Sequence, residues 1–186
     1  VAAPTISTPT GLIASLQGVS AADTLPVTYT YNGVSKDISI NVIIGYIRLT
    51  VPATYDFGTL TVKPSPLVAW PQAPSSDVMV TDTRTGSDLK PWSVTVRQSS
   101  NLQGVSNGND LSAYLIFNDE VSSQPITGAA LQVYANTAPT TGTFNLSQNW
   151  HTDTGQGVQL NIPVQHQIVG TYQCAITWTL NAVPGN

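Results

Sequence analysis

Apolar and polar residues alternate along most of this chain, and they do so with the two-residue period of a strand. Val27, Tyr29 and Tyr31 share one parity and Thr28 and Thr30 the other; Ile38, Ile40, Val42 and Ile44 then share the next, followed by Ile47, Leu49 and Val51. Further short runs predict strands at Tyr55–Phe57, Leu60–Val62, Val78–Val80, Trp92–Val96, Ala113–Phe117, Leu131–Tyr134, Val158–Ile162 and Tyr172–Leu180. Turn-forming clusters separate them: Asn32-Gly33, Thr85-Gly86-Ser87-Asp88, Asn107-Gly108-Asn109-Asp110 and Thr154-Gly155-Gln156-Gly157. Helical periodicity is nearly absent; its best instance, Leu12–Leu16, is too short to stand as a helix in water. Many short strands with turn signals between them predict an all-β chain, an antiparallel β-sandwich of Ig-like or jelly-roll-like kind with little or no helix.

The clearest alternation lies at residues 171–180. Tyr172, Cys174, Ile176, Trp178 and Leu180 fall on one face, and Thr171, Gln173, Ala175, Thr177 and Thr179 on the other. A second segment has the same grammar, with Trp92, Val94 and Val96 opposed to Ser93, Thr95 and Arg97. Residues 1–45 form a separate N-terminal β segment in this reading, either packed on the main body or the tail of a preceding Ig-like module, and 46–186 form the main domain.

Charge narrows the function classes. The 186 residues carry 6 Lys+Arg and 10 Asp+Glu, a net charge of −4, and only 9% are charged where a soluble domain usually has about a quarter. Ser, Thr, Asn and Gln fill roughly a third instead. Six scattered basic residues make no stripe for a nucleic acid. There is no apolar run of the ~20 residues a membrane helix needs, so no membrane insertion is expected. Low charge with abundant Thr, Ser, Asn and Gly suits an extracellular β-protein. One cysteine, Cys174, excludes an intrachain disulfide; on the apolar face of its strand it reads as an inert buried thiol.

Four ordered motifs carry a family resemblance. Tyr172 through Pro184, with its Ile176-Thr177-Trp178-Thr179-Leu180 run, resembles the C-terminal signature of the WxL domain. Trp92-Ser93-Val94 is similar to that family's upstream Trp-x-Leu motif, with Val in place of Leu. Val80-Thr81-Asp82-Thr83-Arg84 and Tyr55-Asp56-Phe57-Gly58-Thr59 match two shorter runs that recur in it. The resemblance covers roughly residues 46–186. It implies non-covalent attachment of a Gram-positive surface protein to the cell wall, with peptidoglycan as ligand. It also implies a membrane-anchored WxL-interacting protein as a partner; adhesion to a host protein is a further alternative.

The family-motif residues Trp92, Val94, Tyr172, Trp178 and Leu180 have two readings: core packing, or the lining of a sugar-stacking groove with the indole N–H as donor. If they are core, Trp70 and Trp150, in non-alternating segments, become the candidate exposed aromatic residues for binding. No catalytic residue is expected. His166 reads as a solvated face residue, and His151 with Asp153 lacks the context of a nucleophile and base. No cofactor is expected. Asp77, Asp82 and Asp88 are the only calcium candidates, and turn formation explains each as well. Lys36, Lys63 and Lys90 supply amines for an isopeptide bond, with no partner acid specified.

Overall fold

The computed structural model describes residues 23–31, 34–42, 45–72, 76–119, 121–150 and 154–182. The chain divides into two compact units, Val1–Tyr46 and Ile47–Asn186. In the first, β1 (Asp23–Tyr31) and β2 (Val34–Val42) pair antiparallel through nine positions, from Asp23 opposite Val42 to Tyr31 opposite Val34. The Asn32-Gly33 turn and the Leu12–Leu16 segment lie outside the described residues.

The second unit is a β-sandwich. One layer is a three-stranded sheet whose central strand, β6 (Trp92–Gln98), lies between β10 (Leu131–Asn136) and β14 (Ile176–Ala182). The facing layer is made of two sheets. Strands β3 (Ile47–Thr50), β5 (Met79–Asp82) and β11 (Gly142–Asn145) form one, in the order β11-β5-β3. Strands β4 (Leu67–Ala69), β8 (Leu115–Asn118), β9 (Ser123–Pro125) and β12 (Gly157–Ile162) form the other, in the order β4-β12-β8-β9. A two-residue ribbon pairs β7 (Gln103–Gly104) with β13 (Tyr172–Gln173). All pairings are antiparallel, and the helical content among the described residues is three short 3-10 turns, as the alternation predicts.

The alternation of β6 explains how one strand serves both halves of the facing layer. Val80, Trp92 and Val94 form one buried cluster, completed by Ile47, Leu49, Phe144 and Leu180. Val96 belongs to the larger cluster with Leu67, Leu115, Phe117, Leu160 and Ile162. Each fully buried apolar side chain of this size contributes about 1.5–3 kcal/mol, so this one face anchors the whole unit. Gln98 then closes the far end, its Nε2 donating to the carbonyls of Ser112 at 2.7 Å and Ile126.

Two sequence expectations are corrected. Residues 51–66 contain no strand, although Tyr55–Phe57 and Leu60–Val62 alternate. Asp56 is taken up in a turn: its Oδ1 accepts the Gly58 N–H at 2.7 Å and its carbonyl accepts the Gln72 N–H at 2.6 Å. Gly58 sits at φ 66°, where side chains are disfavoured, and an added Cβ would fall 2.2 Å from the Gln72 Nε2. The Asp-Phe-Gly run is therefore a loop clasp. Secondly, Tyr172–Leu180 is not one strand. Ser99 and Ser100 both donate backbone N–H groups to the Ala175 carbonyl, at 2.8 and 3.3 Å, and Ser100 Oγ accepts the Ala175 N–H at 2.8 Å. These bonds replace the ladder at Cys174–Ala175 and divide the run into β13 and β14 without disturbing side-chain parity.

Candidate functional site

The two Trp motifs meet in one sheet. β14 pairs with β6 from Ile176 opposite Gln98 to Ala182 opposite Trp92, which sets Trp178 opposite Val96 and Leu180 opposite Val94. Trp92 is 3% exposed and Val94 fully buried; Trp178, Leu180 and Tyr172 are half-buried. Trp92 stacks on Tyr134 and meets the edge of Phe144, both with centroids 5.4 Å apart. Trp178 lies between Tyr55 (6.3 Å) and Trp150 (5.9 Å), and Trp150 in turn meets the edge of Phe117 at 5.1 Å. The indole N–H groups of Trp92 and Trp178 and the Tyr55 hydroxyl are buried, with no hydrogen-bond partner among the described residues. Burial also pushes the Tyr55 phenol well above its ordinary pKa. These donors are turned into the protein interior.

Trp150 stands in that aromatic stack rather than free in its loop. Gly157 presses on it: a Cβ there would lie 2.7 Å from the Trp150 Cβ. Trp70, just after β4, is half-buried. Tyr172 is a tie rather than a platform: its hydroxyl donates to the Ile168 carbonyl at 2.9 Å and accepts from the side-chain amides of Asn109 at 3.1 Å and Asn107 at 3.4 Å.

The acidic candidates are dispersed. Asp82, with no exposed surface, forms a two-pronged pair with Arg84: Nε to Oδ1 at 2.9 Å and Nη2 to Oδ2 at 2.8 Å. The Arg84 N–H also donates to Oδ1, and Nη2 reaches the Lys90 carbonyl at 2.9 Å. Burial by itself raises the Asp82 pKa, but the side-chain and backbone hydrogen bonds from Arg84 and its charge outweigh it and hold the carboxyl below its usual range. Asp77 accepts from Asn145 Nδ2 at 2.7 Å and Ser147 Oγ at 3.3 Å. Asp88 lies in the 3-10 turn Gly86–Asp88. Among the described residues no three acidic, His or Cys side chains gather where they could hold a metal. His166 packs half-buried on Tyr114 at 4.9 Å, while His151 and Asp153 lie outside the described residues.

What the motif strands offer to solvent is their other face. Thr179 pairs with Thr95, Asn181 with Ser93 and Thr177 with Arg97, and Gln132 of β10 lies on the far side of Thr95. Asn181 Nδ2 donates to Thr95 Oγ1 at 3.3 Å, and Ser99 Oγ and Thr177 Oγ1 share a bond of 2.9 Å. The result is a three-stranded sheet of hydroxyls and amides with one guanidinium. Its end at Ser99 adjoins a cleft of about 530 Å³ whose polar lining is Ser100, Asn101, Gln103 and Gln173. The polar parity of both motifs, Ser-x-Thr and Thr-x-Thr, marks this face in the sequence, although the candidate site residues named from sequence are aromatic and apolar or, for a metal, acidic.

A family model described as "WxL domain surface cell wall-binding" matches residues 41–184. No curated protein and no solved structure matches the chain. Among the described residues no helix is long and apolar enough to cross a membrane.

Proposed function

The chain belongs to the WxL family of surface cell-wall-binding domains, and on that premise we propose that it attaches a Gram-positive surface protein to peptidoglycan, non-covalently and without catalysis. The observation that carries this reading is the shared outer face of β6 and β14. Both family motifs commit their Trp and apolar residues to the interior, and both turn hydroxyls and amides outward in register. Peptidoglycan is a polymer of sugars and short peptides, whose many donors and acceptors suit a broad uncharged hydrogen-bonding surface.

The test is co-sedimentation with sacculi stripped of teichoic acids. Wild type should pellet. Thr179→Glu, at an exposed position in the middle of the face, should stay in solution while melting with wild type. Wild type left in the supernatant would remove peptidoglycan as the ligand; a Thr179→Glu variant that still pellets would move the contact off this face.

A second reading, docking on a membrane-anchored WxL-interacting protein, draws on the apolar side chains of Val105, Ile168 and Val169, which are 62%, 49% and 83% exposed. Val105 and the 168–171 segment are joined by the Val105 N–H to Thr171 carbonyl bond and by Asn107 Nδ2 to the Val169 carbonyl, so these residues share one patch. A host adhesion target would use the same patch.

A further inference from the structure

Resting on the wall-binding reading, we propose that the cleft between residues 100–105 and 173–175 is a subsite for an N-acetylated amino sugar, gripped through its acetamido group. Gln103 and Gln173 are directly opposed in the β7–β13 ribbon, so their side chains stand side by side on one face. Both are exposed, and among the described residues neither side-chain amide makes a hydrogen bond. Each offers a carbonyl acceptor beside an N–H2 donor, the complement of an acetamido N–H and C=O. Asn101 adds a third carboxamide; its Nδ2 is spent on Asp110 Oδ2 at 2.8 Å, which leaves its carbonyl oxygen to accept.

The remaining wall is apolar. Val105, Cys174 and Ala175 line it, which suits the acetyl methyl. No lining side chain carries a charge, and the nearest one through Asn101 is the Asp110 carboxylate, so phosphate polymers gain nothing there. The volume of about 530 Å³ falls within the about 300–1,000 Å³ usual for small-ligand sites and admits a sugar ring with its substituent. The cleft is also built. Tyr172 and Asn107 brace one end, and the Ser99 and Ser100 bonds to Ala175 fix the other. It opens at the end of the polar sheet face, so a glycan strand lying on the hydroxyls would reach it with one residue.

The test uses the whole chain with two soluble probes: a β-1,4-linked N-acetylglucosamine tetramer and the glucose tetramer of the same linkage. Titration should show saturable binding of the first and about tenfold or weaker binding of the second, the loss expected when hydrogen-bonded amides are left unpaired. Gln173→Ala and Gln103→Ala, both at exposed positions, should each weaken the first by about tenfold with unchanged melting. The acetylated tetramer should also slow alkylation of Cys174, which lines the cleft. Equal binding of both tetramers, no saturable binding of either, or variants that bind as wild type would each overturn the assignment. So would protection of Cys174 by a soluble stem peptide but not by the sugar. Sacculus pelleting that persists through any of these failures leaves wall attachment standing and removes only the cleft; loss of pelleting by wild type removes both.

Discussion

Replacing Arg84 with Met isolates the role of the buried Asp82–Arg84 pair. The substitution keeps side-chain length and removes the charge together with the side-chain hydrogen bonds to both Asp82 oxygens and to the Lys90 carbonyl. Asp82 has no exposed surface, so its carboxylate would stay buried with, among the described residues, only the residue-84 backbone N–H as partner. Orphaning one member of a buried pair costs roughly 3–5 kcal/mol. At about 2–4 °C per kcal/mol for a domain of this size, melting should fall by roughly 6–20 °C.

The pH dependence makes the test specific. In wild type the folded Asp82 pKa is lowered, so its stabilisation is present above the unfolded value of about 3.9 and is lost as pH falls through the folded value. In Arg84→Met burial, the largest influence, is opposed only by the residue-84 backbone N–H and raises the folded pKa. The variant therefore gains relative stability below the unfolded value and loses it as pH rises through the raised one. Urea unfolding at pH 7 and pH 4.5 should show the gap to wild type narrowing at the lower pH. A cost below about 1 kcal/mol, the same at both pH values, would refute a stabilising role for this buried pair.

Trp150→Ala should destabilise by about 3 kcal/mol in chemical unfolding, the low end for aromatic truncation because the ring is only half-buried, while folded protein pellets with sacculi as before. Gly58→Ala should cost about 1–2 kcal/mol from its left-handed backbone. A Gln72→Ala background should return little of this, since the flexible end of Gln72 can move aside. Wall retention should change little over about 0.05–0.5 M salt, because one exposed arginine is the charge on the polar face, and a steep fall would indicate a basic contact elsewhere. It should strengthen as pH approaches the pI of 4.7 and repulsion from anionic wall polymers fades.

The strands that position the polar face were legible because β6 and β14 alternate cleanly, and their burial follows parity. Parity also held the Asp82–Arg84 signal: Val80, Asp82 and Arg84 share the inward side, so two opposite charges two residues apart had to neutralise one another inside. Alternation predicts strands at 55–62 where the structure has a loop, because alternation reports which side chains face inward, whether or not a neighbouring strand supplies hydrogen bonds. Tyr55 and Phe57 do pack half-buried against the core; Asp56 and Gly58 spend the backbone elsewhere. The division of the C-terminal run at Cys174–Ala175 left no trace in parity either. Trp150 and the Gln103–Gln173 pair depend on contacts between distant segments, for which a single sequence carries no local signal.

The order of strands in the Trp-motif sheet has a consequence for how the domain is made. β6 lies at the centre of its sheet, but β10 begins 33 residues after β6 ends and β14 begins 78 after it. A chain emerging N-terminal end first therefore holds β6, with Trp92, Val94 and Val96 on its inward face, open on both backbone edges until β10 is made and on one edge until β14 follows. Closure over such sequence distances is slow. An unpaired apolar strand is also the template for association between chains. A product truncated before Ile176 would lack Trp178 and leave one edge of β6 open, so it should aggregate or be degraded rather than persist as a weaker binder. The second Trp motif is thus the piece that closes the last backbone edge of β6.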